Sequence, residues 1–119
     1  METRTTGDAV PAEAITLLEA LLASDTPLHH ALRAQIPHLQ VMGRCSCSCA
    51  TLDLGLDETL VAAAPVTDTI VADTEVLDAD GQEIGGVLVF AHGGYLSYLE
   101  IYTWLDEPIT RFPSPDRLS

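Results

Sequence analysis

Apolar residues near the start of the chain recur at helical spacing, and after Pro37 they alternate. Ile15, Leu18 and Leu22, joined by Leu17 and Leu21, make one wide apolar face and predict a helix over 11–24. Pro11 opens it, because proline fits the first helical turn, where its missing N–H is not needed. Ser24-Asp25 marks its end. Thr26-Pro27 then restarts the chain with an N-cap residue followed by proline. Leu28, Leu32 and Ile36 repeat at i+4 and predict a second helix over 27–36, which Pro37 stops. The connection is very short, so the two helices form a hairpin.

From Pro37 the period is two, and strands are expected at about 38–45, 50–55, 68–78, 83–91 and 95–104. Leu39, Val41 and Gly43 alternate with Gln40, Met42 and Arg44, and Leu52 and Leu54 alternate with Thr51 and Asp53. The small residues Ser46, Cys47 and Ser48 between these runs predict a hairpin tip. Residues 55–66 read as an irregular connection. Asp80-Gly81 predicts a type I′ turn, and Gly93-Gly94 another turn. Gly85-Gly86 predicts a bulge inside its strand. Val87 to Phe90 is apolar on both faces, as a central strand requires. In the last strand Leu99 and Ile101 share one face, and Tyr98, Glu100, Tyr102 and Trp104 share the other. Pro108, Pro113 and Pro115 forbid a long helix in 105–119, which reads as an extended tail pinned by Ile109 and Phe112. The polar, unpatterned residues 1–9 read as a flexible tail. The expected fold is α+β, a single domain over 10–119. Its N-terminal two-helix hairpin packs on one face of an antiparallel meander sheet of about five strands.

The charge balance changes what such a fold could bind. Eighteen acidic residues stand against five arginines, a net charge of −13, and there is no lysine. That charge repels nucleic-acid phosphates and anionic lipid surfaces, which excludes both as expected partners. It leaves basic proteins and metal cations, or a role in solubility alone. No run of 18 apolar residues is present, and the first residues lack an apolar stretch behind a basic end. The expected location is therefore the cytoplasm.

Cys45, Cys47 and Cys49 are the chain's three cysteines, all within five residues. Alternate spacing lines thiols up on a straight strand or bunches them at a hairpin tip. Three thiolates with a histidine as fourth ligand could hold zinc, although the usual Cys-x-x-Cys spacing is absent. His38 lies at the wrong end of the expected hairpin for that role. Redox or nucleophilic chemistry would need a lowered thiol pKa, and only Arg44 is adjacent to supply it. Free cysteine also packs well as a small hydrophobe.

Asp53 and Glu100 would pair only if their strands were neighbours. His29 and His30 are consecutive on a helix and point in different directions, which makes them poor joint ligands. Tyr98, Tyr102 and Trp104, with Glu100 between them, have the residue types of a protein-binding patch; they also suit the cover of a sheet. No dinucleotide, phosphate-loop, zinc-protease or serine-hydrolase signature is present.

Two stretches carry a resemblance: Gly43-Arg44-Cys45-Ser46-Cys47-Ser48-Cys49 with Thr51-Leu52-Asp53-Leu54, and Leu96 to Trp104 followed by Glu107-Pro108-Ile109 and Phe112-Pro113. Together they resemble small uncharacterised bacterial proteins of high-GC genomes, and the second is similar to the closing strand of polymorphic-toxin immunity-type proteins. The immunity likeness implies a stoichiometric binder rather than an enzyme. The expected function is thus a non-enzymatic acidic interaction module for a basic protein, needing no cofactor, as a monomer or homodimer. The alternative is a zinc-binding or thiol-redox protein built on Cys45, Cys47 and Cys49.

Overall fold

The structure is a computed structural model that describes residues 8–44, 50–66 and 69–119. Two helices, α1 (Ala12–Leu21) and α2 (Pro27–Gln35), precede most of the sheet. The strands are β1 (Asp8–Ala9), β2 (Gln40–Arg44), β3 (Leu52–Gly55), β4 (Ile70–Leu77), β5 (Glu83–His92) and β6 (Tyr95–Thr103). They form one antiparallel sheet in the order β1-β2-β3-β6-β5-β4.

This α+β architecture corrects the expected sheet in two respects. Six strands are present among the described residues, because Asp8 and Ala9 pair with Val41 and Gln40. A two-residue strand is too short to show any periodicity, so composition alone assigned it to a tail. The sheet is also not one sequential meander. It joins a β2–β3 hairpin to a β4–β5–β6 meander through a β3–β6 seam, where Leu52 faces Leu99 and Asp53 faces Tyr98. The chain leaves β3 at the middle of the sheet and re-enters at its far edge.

Both helices lie on one face of the sheet. Ala14, Leu17 and Leu18 from the first helix, Leu32 from the second, and their C-cap residues Leu22 and Ile36 pack with Val41, Leu52, Leu54, Val76, Val87, Val89, Leu96, Leu99 and Ile101. Removing this apolar surface from water is the main stabilising term, worth roughly 1.5–3 kcal/mol for each fully buried leucine or valine. Thr26 caps α2 by accepting a hydrogen bond from the His29 N–H at 3.2 Å, with Pro27 next to it. Pro11 occupies the N-cap position of α1, which starts one residue later than expected.

The turns follow local chemistry. Gly93 and Gly94 both have positive φ (60° and 89°), the geometry of a two-residue type I′ hairpin. The expected type I′ turn at Asp80-Gly81 is instead a three-residue loop. Asp78 pairs with Gln82 (Asp78 N–H to Gln82 O, 2.8 Å), and the Gly81 N–H returns to Asp78 O at 3.0 Å. Only Gly81 needs positive φ there, at 83°. The Asp78 carboxylate selects this longer loop by accepting from the Asp80 and Gln82 N–H groups, each at 2.9 Å. The irregularity expected at Gly85-Gly86 lies one residue earlier, at Ile84, between the pairs Val76–Gly85 and Leu77–Glu83.

Candidate binding face

Among the described residues no helix lies on the second face of the sheet. Cross-strand pairs place its side chains: Asp53 opposite Tyr98, Phe90 opposite Tyr98, Leu88 opposite Glu100, Gly86 opposite Tyr102, and Asp73 opposite Leu88. Tyr98, Glu100, Tyr102 and Trp104, expected on one face, lie together in a row along β6 and its continuation. Tyr98 packs edge-on against Phe90, with ring centroids 5.7 Å apart. Tyr102 packs edge-on against Trp104 at 6.2 Å. Trp104 is 59% exposed and Leu105 53%.

Gly86 explains how Tyr102 lies down. A Cβ on Gly86 would stand 2.6 Å from the Tyr102 ring carbon that bears the hydroxyl. The ring therefore occupies the space a side chain would fill, covering a glycine that otherwise weakens a strand.

A groove of ≈ 480 Å³ runs beside this row. Tyr98, Glu100, Tyr102 and Thr103 line it on the strand side, and Leu105, Asp106, Pro108 and Ile109 on the other. Two threonines build it. Thr103 Oγ1 donates to Ile84 O at 2.5 Å and accepts from the Leu105 N–H at 3.1 Å, bending the chain as it leaves β6. The returning segment is held by a hydrogen bond from the Ala50 N–H to Ile109 O at 2.9 Å. Thr51, buried beneath, donates from Oγ1 to Ile101 O (3.1 Å) and accepts from the Ile101 N–H (2.9 Å). Its hydroxyl thereby stands in for a strand partner at the end of the β3–β6 seam. Sequence alternation located the aromatic row but not the groove, whose second wall comes from a segment without periodicity.

Among the described residues the electrostatics of this face are one-sided. Strand alternation sets Asp53, Asp73, Glu75 and Glu100 on it, and Asp106 enters the groove. Among the described residues the ion pairs are His30–Asp25 and Arg111–Glu13, and none of these five carboxylates takes part. Arg33 is used elsewhere, donating to Leu22 O and Ser24 O behind α1. Glu75 lies close enough to Glu83 to push the Glu83 carboxyl above its ordinary value, first through a shared hydrogen bond and then through like-charge repulsion. Asp53 and Glu100 do come from neighbouring strands, as diagonal rather than directly opposed positions. Diagonal pairs have backbones about 7–8 Å apart, farther than directly opposed pairs.

Cys45, Cys47 and Cys49 lie outside the described residues. The strands on either side of them pair antiparallel, with Gln40 opposite Gly55 and Arg44 opposite Leu52, and the hairpin tip expected at Ser46, Cys47 and Ser48 lies outside the described residues. His38 precedes Gln40, at the end of that hairpin away from 45–49. Among the described residues no group of three or more His, Cys, Asp or Glu side chains is placed to hold a metal ion. His29 and His30 serve the helix connection: His29 Nδ1 accepts from the Ser24 N–H at 3.2 Å, and His30 Nε2 bonds to Asp25 at 2.5 Å. Among the described residues no helix is long and apolar enough to cross a membrane. Searches against protein-family models, curated proteins and solved structures return no match to this chain.

Proposed function

We propose that this protein is a non-enzymatic interaction module whose uncovered sheet face binds a basic protein. One observation carries the reading: an aromatic row of Tyr98, Tyr102 and Trp104 holds Glu100 within it and has Asp53 beside it, on a face where no ion-paired cation is found among the described residues. Tyr and Trp supply large contact areas at low entropy cost and dominate binding hot spots. Carboxylates around them that enter no ion pair among the described residues favour a cationic partner and speed its approach. The same charges disfavour a second copy of this chain, because that association would bring two molecules of net charge −13 together. The immunity-type resemblance of the closing strand agrees with a stoichiometric binder.

The test uses photo-crosslinking residues placed singly at Tyr102 and, as a control, at the exposed Glu19 on the helix side. The expected result is a basic protein captured at position 102 and not at 19. Once purified, that protein should bind the wild-type chain in a salt-sensitive manner and bind Trp104→Ala at least about tenfold more weakly, as befits a hot-spot aromatic. Equal capture at both positions, or binding indifferent to both salt and Trp104, would overturn the reading.

A further inference from the structure

We infer that the groove between β6 and residues 105–109 is the seat of one arginine side chain of the partner, its guanidinium held by Glu100 and Asp106 against the Tyr102 ring. This rests on the interaction reading above and names the chemistry recognised there. The groove has two walls, each with one carboxylate: Glu100 on the strand and Asp106 on the returning segment. Its remaining polar lining is the hydroxyl-bearing Thr51, Tyr98, Tyr102 and Thr103, and both threonine hydroxyls are already engaged with backbone. Its volume of ≈ 480 Å³ is at the small end for ligand pockets, which span roughly 300–1,000 Å³, and suits one long side chain rather than a folded segment.

Arginine fits this lining better than lysine. A planar guanidinium can stack on an aromatic ring and direct separate N–H groups at two carboxylates on different walls. A lysine ammonium is a compact, strongly hydrated charge without a face to stack. Tyr102 is itself braced, with Gly86 beneath the ring and Trp104 against its edge, so little ordering remains to be done on binding.

The chain's single tryptophan, Trp104, reports on the groove through the Tyr102 ring it packs against. Blocked peptides Gly-Gly-Xaa-Gly-Gly, with arginine, lysine or citrulline at the centre, are titrated into the full chain while Trp104 emission is followed. Citrulline keeps the shape of arginine without its charge. The arginine peptide should saturate at about millimolar concentration or above, as expected for a single contact. The lysine peptide should bind at least severalfold more weakly, and citrulline should leave the emission unchanged. Glu100→Gln, at a half-buried position, and Asp106→Asn, at an exposed one, are both conservative changes and should each weaken the arginine peptide by about three- to fivefold. Wild-type circular dichroism and thermal unfolding in these two variants would establish that they fold.

Equal responses to arginine and citrulline, or wild-type affinity in both variants, would overturn the arginine seat. The protein partner separates the two readings. If Trp104→Ala weakens that partner while Glu100→Gln and Asp106→Asn do not, the groove assignment fails and the face assignment stands. If none of the three variants matters, both fail.

Discussion

Gln35 is fully buried, and each polar atom of its side chain has a partner. Nε2 donates to Gly94 O at 2.9 Å and to Ala62 O at 3.2 Å, and Oε1 accepts from the Leu96 N–H at 2.9 Å. A side chain of α2 thus supplies hydrogen bonds to the turn between β5 and β6 that a neighbouring strand would otherwise make. Gln35→Leu should destabilise the protein by about 1–3 kcal/mol, because it strands the buried Leu96 N–H, whereas Gly94 O keeps the bond it accepts from the Ala64 N–H at 2.7 Å. Urea unfolding measures this; a loss below about 0.5 kcal/mol would mean that water replaces the amide.

Gln35→Glu should be sensitive to pH. A buried carboxylate can accept from Leu96 but cannot donate to Gly94, so its folded pKa must lie above the unfolded value of about 4.3. Its stability is then closest to wild type below that pH and falls as pH rises through the folded pKa. In the sequence, Gln35 was one polar position in a predicted helix. Its spacing of i+3 from Leu32 put it beside the apolar stripe, the one signal available, but no pattern identifies the two carbonyls and the amide it meets.

The helical hairpin is held at its bend by polar groups from both elements. Arg33, in the last turn of α2, donates to the free carbonyls of Leu22 and Ser24 at the end of α1 and to His30 Nδ1 at 3.0 Å. Accepting there leaves His30 Nε2 as the proton donor to Asp25, and that bond holds the Asp25 carboxyl below its ordinary value. Arg33 stands at i+4 from His29, but the bend brings it to His30 and to the end of the preceding helix instead. Arg33→Met keeps much of the apolar stem but loses the donors, and should cost about 1–2 kcal/mol in urea unfolding. Arg33→Lys should recover part of it. Identical losses in the two variants would show that packing of the stem, not the hydrogen bonds, is what matters.

For the whole molecule, charge sets a pH optimum on the acid side of neutrality. At pH 7 the net charge is −13, and the repulsion it causes falls as carboxylates protonate. Glu83 adds to this in the same direction. Its folded pKa is raised by Glu75 above the ordinary 4.5, so its contribution is full below that value and lost as pH rises through the folded pKa. Asp25, Asp57 and Asp116 work the other way. Bonds from His30, from Thr59 and from Ser114 respectively lower them, so their contributions are full above 3.8 and lost as pH falls through their folded values. The melting temperature should therefore rise from pH 7 to about pH 5 and fall below about pH 3.8, with the rise reduced by added salt and by Glu83→Gln. A melting temperature that falls steadily from pH 7 to pH 5 would contradict this balance.

Local chemistry was enough to determine the two helices, the alternation of β5 and β6, the glycine turn between them and the aromatic row that Tyr98, Tyr102 and Trp104 form. Capping, period and positive φ act within a few residues, so the chain order carries them. Strand partners are another matter. Periodicity states which face a residue takes but is the same whichever strand lies alongside, so the β3–β6 seam, the short β1 edge and the six-stranded order came only from the folded chain. The groove belongs to that second kind of information. Its two carboxylates are six residues apart in sequence, and they face one space only because Thr103 bends the chain and Ala50 anchors Ile109 beside β6.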